Sequence, residues 1–110
     1  MMRMSDYLQV VTTVSGQADA RRIADRLVEK RLAACVQIAG PITSVYRWRG
    51  KIESAEEWQL SAKTRSALYE AVEREIRASH PYEVPEIVAL PIAAGSGDYL
   101  AWIGNETSGK

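Results

Sequence analysis

The sequence predicts an α+β fold of order β-α-β-β-α-β, with one short additional helix near its C-terminal end. Three observations carry this expectation. Two segments repeat apolar residues at helical spacing, Ala20-Ile23-Ala24-Leu27-Val28 and Leu68-Ala71-Val72-Ile76. A short β-branched run, Tyr7 to Val14, precedes the first helix, and another, Ile87 to Leu90, follows the second. Between the helices lies a stretch with a turn at Trp48-Arg49-Gly50-Lys51, after which Trp58, Leu60 and Ala62 alternate with Gln59, Ser61 and Lys63.

In chain order, Tyr7–Val14 reads as a buried strand, and Ser15-Gly16 breaks it, with Ser15 able to cap the helix that follows. That helix is expected to reach about Arg31. A second strand, about Ala33 to Arg47, is interrupted by Gly40-Pro41, where the missing proline donor implies a bulge or an edge position. Gly50 supplies the positive φ that a hairpin turn needs. The third strand runs from Ile52 to about Lys63. Thr64 or Ser66 opens the second helix, and Pro81 stops it. Glu86 to Ile92 is the fourth strand. Asp98 to Ile103 reads as the terminal helix, with Ser96 or Asp98 at its start, and Asn105 to Lys110 as a frayed tail. This order is the split βαβ, ferredoxin-like arrangement. The 110 residues are read as a single domain with an ordered core of about 7–104.

The hairpin is too long for the rest of the fold. The first helix spans roughly 22 Å at about 1.5 Å per residue, while strands two and three would span roughly 40 Å at about 3.3 Å per residue. The distal half would stand free, although it carries Val45, Tyr46, Trp48 and Ile52. A lone two-stranded ribbon is marginal in water. A partner subunit that receives the ribbon is therefore expected. The alternative is a shorter hairpin that ends at Gly40-Pro41.

Composition narrows the function. Fourteen basic residues balance fourteen acidic ones, which gives no electrostatic reason to expect nucleic acid or an anionic membrane. Phenylalanine is absent, as is the glycine-basic-aromatic signature of single-strand RNA recognition. Arg21, Arg22, Arg26, Lys30 and Arg31 make the first helix locally basic, balanced by Asp19, Asp25 and Glu29. Met1 to Asp6 is too polar and short for a signal peptide, and no apolar run approaches a membrane span. Cys35 is the only cysteine, so no internal disulfide forms; the expected location is cytoplasmic.

The chemistry converges on His80-Pro81-Tyr82-Glu83-Val84-Pro85-Glu86, a stiff corner that holds the only histidine. Cys35 and His80 form a thiol–imidazole pair only if the fold brings them together, and Cys35 lacks the glycine-rich oxyanion loop or helix start that a nucleophile needs. No enzyme is expected. Two readings of His80 stay open. It is a metal ligand, with Cys35, Glu83 or Glu86 as co-ligands, or a histidine at a helix C-terminus that interacts with the dipole. Cys35 likewise reads as a small core residue or a sulfur donor. Ser15-Gly16 and Gly95-Ser96-Gly97 read as structural turns rather than phosphate loops, and Glu53, Glu56 and Glu57 as interface or solvent charges.

Arg31-Leu32-Ala33-Ala34-Cys35-Val36, Ser44 to Glu53, Lys63-Thr64, His80 to Glu86 and Tyr99-Leu100-Ala101-Trp102-Ile103, in this order, resemble the CutA divalent-cation tolerance family. The resemblance implies a homotrimer similar in architecture to the PII signalling proteins, with long hairpins in intersubunit strand pairing. It implies a non-enzymatic role in divalent-cation tolerance and weak binding of Cu(2+) or another divalent cation. The implied ligands are Cys35 and His80, with Glu83 or Glu86 assisting. Some family members carry a further cysteine where this chain reads Val11-Thr12-Thr13, a departure that implies weak binding. A second reading is a PII-like module that binds a small anion, a metabolite or a protein in an intersubunit cleft lined by Trp48, Lys63, Tyr82 and Glu86. A third is a purely structural trimer in which Tyr46, Trp48 and Tyr82 are packing residues.

Overall fold

The computed structural model describes residues 5–108. In chain order the elements are β1 (Tyr7–Val14), α1 (Gln17–Glu29), β2 (Cys35–Trp48), β3 (Lys51–Arg65), a 3-10 turn (Ser66–Leu68), α2 (Tyr69–Ser79), β4 (Ile87–Pro91) and α3 (Gly97–Glu106). The strands form one antiparallel sheet in the order β2-β3-β1-β4, the ferredoxin-like topology.

One face of the sheet carries Leu8, Val10, Val14, Leu60 and Ala62, the period-2 set of β1 and β3. On it lie the apolar stripes of α1 (Ala20, Ile23, Ala24, Leu27) and α2 (Val72, Ile76), all buried. The basic residues of α1 point away from this core into ion pairs. Arg21 pairs with Asp25, Arg22 with Asp19, and Arg26 and Lys30 both reach Glu75 of α2, at 2.8 and 2.7 Å. Those two donors hold the Glu75 carboxyl below its ordinary range.

The second face carries Tyr7, Val11, Lys63 and Arg65. α3 packs at one end of it, where Arg65 donates to both oxygens of Thr107, at 2.9 Å to the hydroxyl and 2.7 Å to the carbonyl. The frayed tail expected from Asn105 therefore does not begin there. α3 continues to Glu106 and Thr107 is buried; Gly109 and Lys110 lie outside the described residues. Ser96 caps α3 by accepting from the Tyr99 amide. α1 is capped differently from expectation: Gly16 occupies the N-cap with no side-chain bond, and Ser15 stays outside. α1 also ends earlier, because Arg31 turns to φ 58°. Thr64 is the last buried position of β3 rather than a helix start, and its hydroxyl donates to the Leu32 carbonyl at 2.6 Å.

β2 and β3 pair over their whole length, with one irregularity where Gly40-Pro41 shifts the register between Ala39 and Ile42. Beyond Trp58, which pairs with Val14, β3 has no second neighbour among the described residues. The hairpin from Ile42 to Glu57 is thus a two-stranded ribbon that projects from the sheet. Val45 and Ile52 near its tip are 69% and 71% exposed.

Candidate functional site

Helix α2 ends at Ser79, and His80 leaves it with extended backbone (φ −84°, ψ 134°), as a residue before proline must. Its ring then docks on the end of β1. Nε2 lies 2.8 Å from the Thr13 carbonyl and Nδ1 accepts from the Tyr82 amide at 3.1 Å. A carbonyl only accepts and an amide only donates, so the ring is the neutral Nε2–H tautomer with both nitrogens engaged. Tyr82 packs edge-on against it, with ring centroids 4.7 Å apart. Burial is the main cause that holds the His80 pKa below its ordinary 6.5; the Thr13 bond and the charges of Asp19 and Glu57 pull weakly the other way.

This depressed value sets a pH dependence. Between the folded and unfolded pKa the unfolded chain binds more protons, so stability falls with acid. His80 contributes fully above about 6.5, and its contribution is lost as pH drops through the lowered folded value. Melting temperature should fall between pH 7.5 and 5.5, and His80→Gln should flatten that slope. An equal slope in both proteins would assign the acid sensitivity to other groups.

From His80 the chain passes over the C-terminal end of β1. Tyr82 reaches down to β3, where its hydroxyl donates to Glu57 Oε2 at 2.7 Å. Burial and then the bond to Glu57 push the Tyr82 phenol up to about 12. Glu57, expected as a solvent or interface charge, is only 7% exposed. The register shift at Gly40-Pro41 places Ile42 opposite Glu57 and Ser44 opposite Ala55, so Glu57, Ser44 and Tyr46 share a face. An open cleft of about 680 Å³ lies between this face of the ribbon and the corner. Tyr46, Trp48, Glu57, Tyr82 and Glu86 line it, with Glu83 at its margin.

Three of the four residues expected in a cleft, Trp48, Tyr82 and Glu86, thus lie together on one chain. Lys63 does not join them. It pairs with Cys35 six positions along β3 from Glu57, roughly 20 Å at the strand rise, and its amine donates to Gln37. Glu83 is exposed, 3.5 Å from Arg49.

Cys35 lies at the opposite end of the sheet from His80. It opens β2, half-buried, with the Tyr99 phenol against its thiol, and burial together with that neighbour pushes Tyr99 up. Cys35 pairs with Lys63 and Lys63 with Gln9, so Cys35 sits two strands from β1 at the level of Gln9. His80 sits at Thr13. Four residues along and two strands across give roughly 16 Å. Sulfur and nitrogen bound to one ion lie only about 4 Å apart. Cys35 and His80 of one chain therefore cannot share a metal. Among the described residues no group of three or more His, Cys, Asp or Glu is placed to hold an ion. Glu57 is the residue that sequence reasoning missed. No local signal marks it, because the need of Tyr82 for a polar partner arises only once the fold half-buries its ring.

A ferredoxin-like sheet with two helices on one face, a projecting β2–β3 ribbon and an acidic aromatic cleft at the ribbon's base define the structural class of this chain, a small mixed α and β fold. The profile of the family described as CutA1 divalent ion tolerance protein matches residues 8–106, and the chain belongs to that family, which is non-catalytic. The chain is 47% identical over 98 residues to the divalent-cation tolerance protein CutA of Thermus thermophilus, covering 89% of this chain and 95% of that one. It is 44% identical to the chloroplastic CutA protein of Arabidopsis thaliana over 89% of this chain, and spans about half of that longer protein, 54%. The solved structure of the divalent cation tolerance protein Cut A1 from Thermus thermophilus superposes with a TM-score of 0.90 at 46% identity, covering 92% of this chain and 98% of that one. The structure described as the periplasmic divalent cation tolerance protein CutA from Archaeoglobus fulgidus has a TM-score of 0.89 at 42% identity, over 92% and 98% of the two chains. No helix among the described residues is long and apolar enough to cross a membrane.

Proposed function

We propose that this protein takes part in divalent-cation tolerance as a homotrimer, in the cytoplasm, without turning over a substrate. The observation that carries the assembly is the ribbon. From Ile42 to Glu57 it has no further sheet neighbour on either side among the described residues, and Val45, Tyr46, Trp48 and Ile52 are exposed on it. Unpaired strand edges beside apolar side chains are a template for pairing with another copy. Sedimentation velocity is expected to give a species of three chains for the wild type and of one chain for Val45→Lys/Ile52→Lys. A wild type that sediments as a single chain at micromolar concentration would sink the assembly.

Metal binding follows the separation of the donors. Cys35 is half-buried and free of any disulfide, and a sulfur donor suits a soft ion. Both nitrogens of His80 are occupied by backbone groups, and its release would orphan the Thr13 carbonyl and the Tyr82 amide. Weak copper binding is therefore assigned to Cys35, while His80, Glu83 and Glu86 shape the corner. In a copper titration, Cys35→Ser is expected to lose binding and His80→Ala to keep it within about threefold, a difference well under the 1.4 kcal/mol of a tenfold change. Loss of binding in His80→Ala with its fold intact would restore the histidine as a ligand. A second reading, a ligand-binding module of PII-like form, is favoured by the cleft under Tyr82, which has the size of a small-molecule site.

A further inference from the structure

We propose that the His80–Glu86 corner sets the direction in which the ribbon leaves the sheet, and that Tyr82, acting through Glu57, is a positioning residue for assembly. This deepens the three-chain reading above and rests on it. Each contact involved is made within one chain, so the ribbon is aimed before a second copy meets it.

Place comes first. β1 ends its pairing with β3 at Val14 and Trp58, so Glu57 is the first residue of the ribbon beyond that strand. Glu57 also stands opposite Ile42, where the register resumes after Gly40-Pro41. A strand bends where an irregularity interrupts its ladder, so the direction of the ribbon is decided at this level. Two grips act there on opposite faces, because successive side chains of a strand alternate. On the helix side Gly40 lies against Trp58, close enough that a Cβ would stand 2.6 Å from the ring. On the other side the Tyr82 hydroxyl donates to Glu57 Oε2 at 2.7 Å.

The second grip is anchored in the sheet. His80 Nε2 donates to the Thr13 carbonyl, His80 Nδ1 accepts from the Tyr82 amide, and the two rings pack edge-on. Tyr82 is thus fixed to the end of β1, and Glu57 is fixed to Tyr82. A hydrogen bond to a carboxylate is among the stronger kinds, and water competes little for it, since Glu57 is buried. The tie at the ribbon's tip differs. Arg49 stands 3.5 Å from Glu83, with the two side chains 73% and 75% exposed, and such pairs contribute little. The base, and not the tip, therefore holds the direction. A free two-stranded ribbon samples many directions and loses that freedom on docking, whereas a ribbon already aimed loses less and associates more tightly.

The test uses the full chain in two backgrounds. In the single-chain variant Val45→Lys/Ile52→Lys, hydrogen exchange of the ribbon, residues 42–57, is followed by mass spectrometry. Adding Tyr82→Phe is expected to speed that exchange at least threefold while residues 7–14 and 58–65 keep their rates. In the otherwise wild-type chain, Tyr82→Phe is expected to raise at least tenfold the concentration at which the three-chain species half-dissociates, read by sedimentation in urea below the unfolding transition. Glu57→Leu should act as Tyr82→Phe does, and the double variant should be no worse than either, because both remove one tie. Glu57→Gln keeps an acceptor and should recover most of the effect. Should Tyr82→Phe fail to fold, Glu57→Leu carries both arms. A tyrosine that merely touched a second copy would shift half-dissociation and leave the single-chain exchange unchanged, and that result overturns the proposal. So does unchanged half-dissociation despite faster ribbon exchange, or exchange that speeds equally in residues 7–14 and 58–65. A wild type that itself sediments as one chain removes the assembly role along with the reading it rests on, and ribbon exchange in that chain still decides whether Tyr82 holds the ribbon.

Discussion

Gly40→Ala is expected to lower the unfolding free energy by about 1–3 kcal/mol, the usual cost of forcing atoms into packed space. A Cβ at Gly40 would stand 2.6 Å from Trp58 Cε3, 2.9 Å from Trp58 Cδ2 and 3.2 Å from the Glu57 carbonyl oxygen. None of these is the tip of a flexible chain. The indole is a rigid plate packed against the helix-side core, and the carbonyl belongs to β3. Relief requires β2 to move away from β3 where the register shifts, which would also displace Glu57 and the cleft. Urea denaturation measures the loss. Trp58→Leu in the same chain should recover part of it, because the two sites are in contact and their effects do not add. An unchanged denaturation midpoint in Gly40→Ala would mean that the contact yields without cost.

Leu60→Ala is expected to destabilise by about 2–5 kcal/mol, through lost apolar transfer and the cavity left behind. Leu60 is only 1% exposed and sits on the central strand β3 between Thr12 on β1 and Ile38 on β2. Core side chains from both helices close over it, so the site has little freedom to collapse. Val28→Ala, on an exposed part of α1, is expected to stay within about 0.5 kcal/mol. Thermal or urea unfolding of the pair is the check, and similar losses in both would contradict the layered core.

Much of the fold was legible because its elements repeat at clean periods. The stripe Ala20-Ile23-Ala24-Leu27 announces α1, and Trp58-Leu60-Ala62 announces the buried side of β3. Gly40-Pro41 was readable as a bulge or an edge position, and the structure has both at once: β2 is the sheet's edge and its register shifts there. The end of α3 was not readable. Asn105, Glu106 and Thr107 carry no apolar signal, and what holds Thr107 is the side chain of Arg65 from a strand far earlier in sequence.

The candidate site divides in the same way. The corner at His80–Glu86 was visible from its prolines and its lone histidine. The burial of Glu57 was not, because it depends jointly on a register shift seventeen positions earlier and a tyrosine twenty-five positions later. The separation of Cys35 from His80 was likewise beyond reach of local pattern. It follows from strand order, which sets β3 between β1 and β2.

That strand order also fixes when the protein can become itself. β1 is an interior strand, yet its neighbours are Trp58–Arg65 on one side and Ile87–Pro91 on the other. Neither lies near it in sequence. Its backbone donors and acceptors therefore stay unmatched until the chain has closed two long loops, and loop closure must be met before non-local contacts return anything. Folding is expected to be governed by the capture of β1 and not by the quick formation of α1 or α2. During that interval the β-branched run Val10-Val11-Thr12-Thr13-Val14 is the segment most exposed to mispairing with other chains.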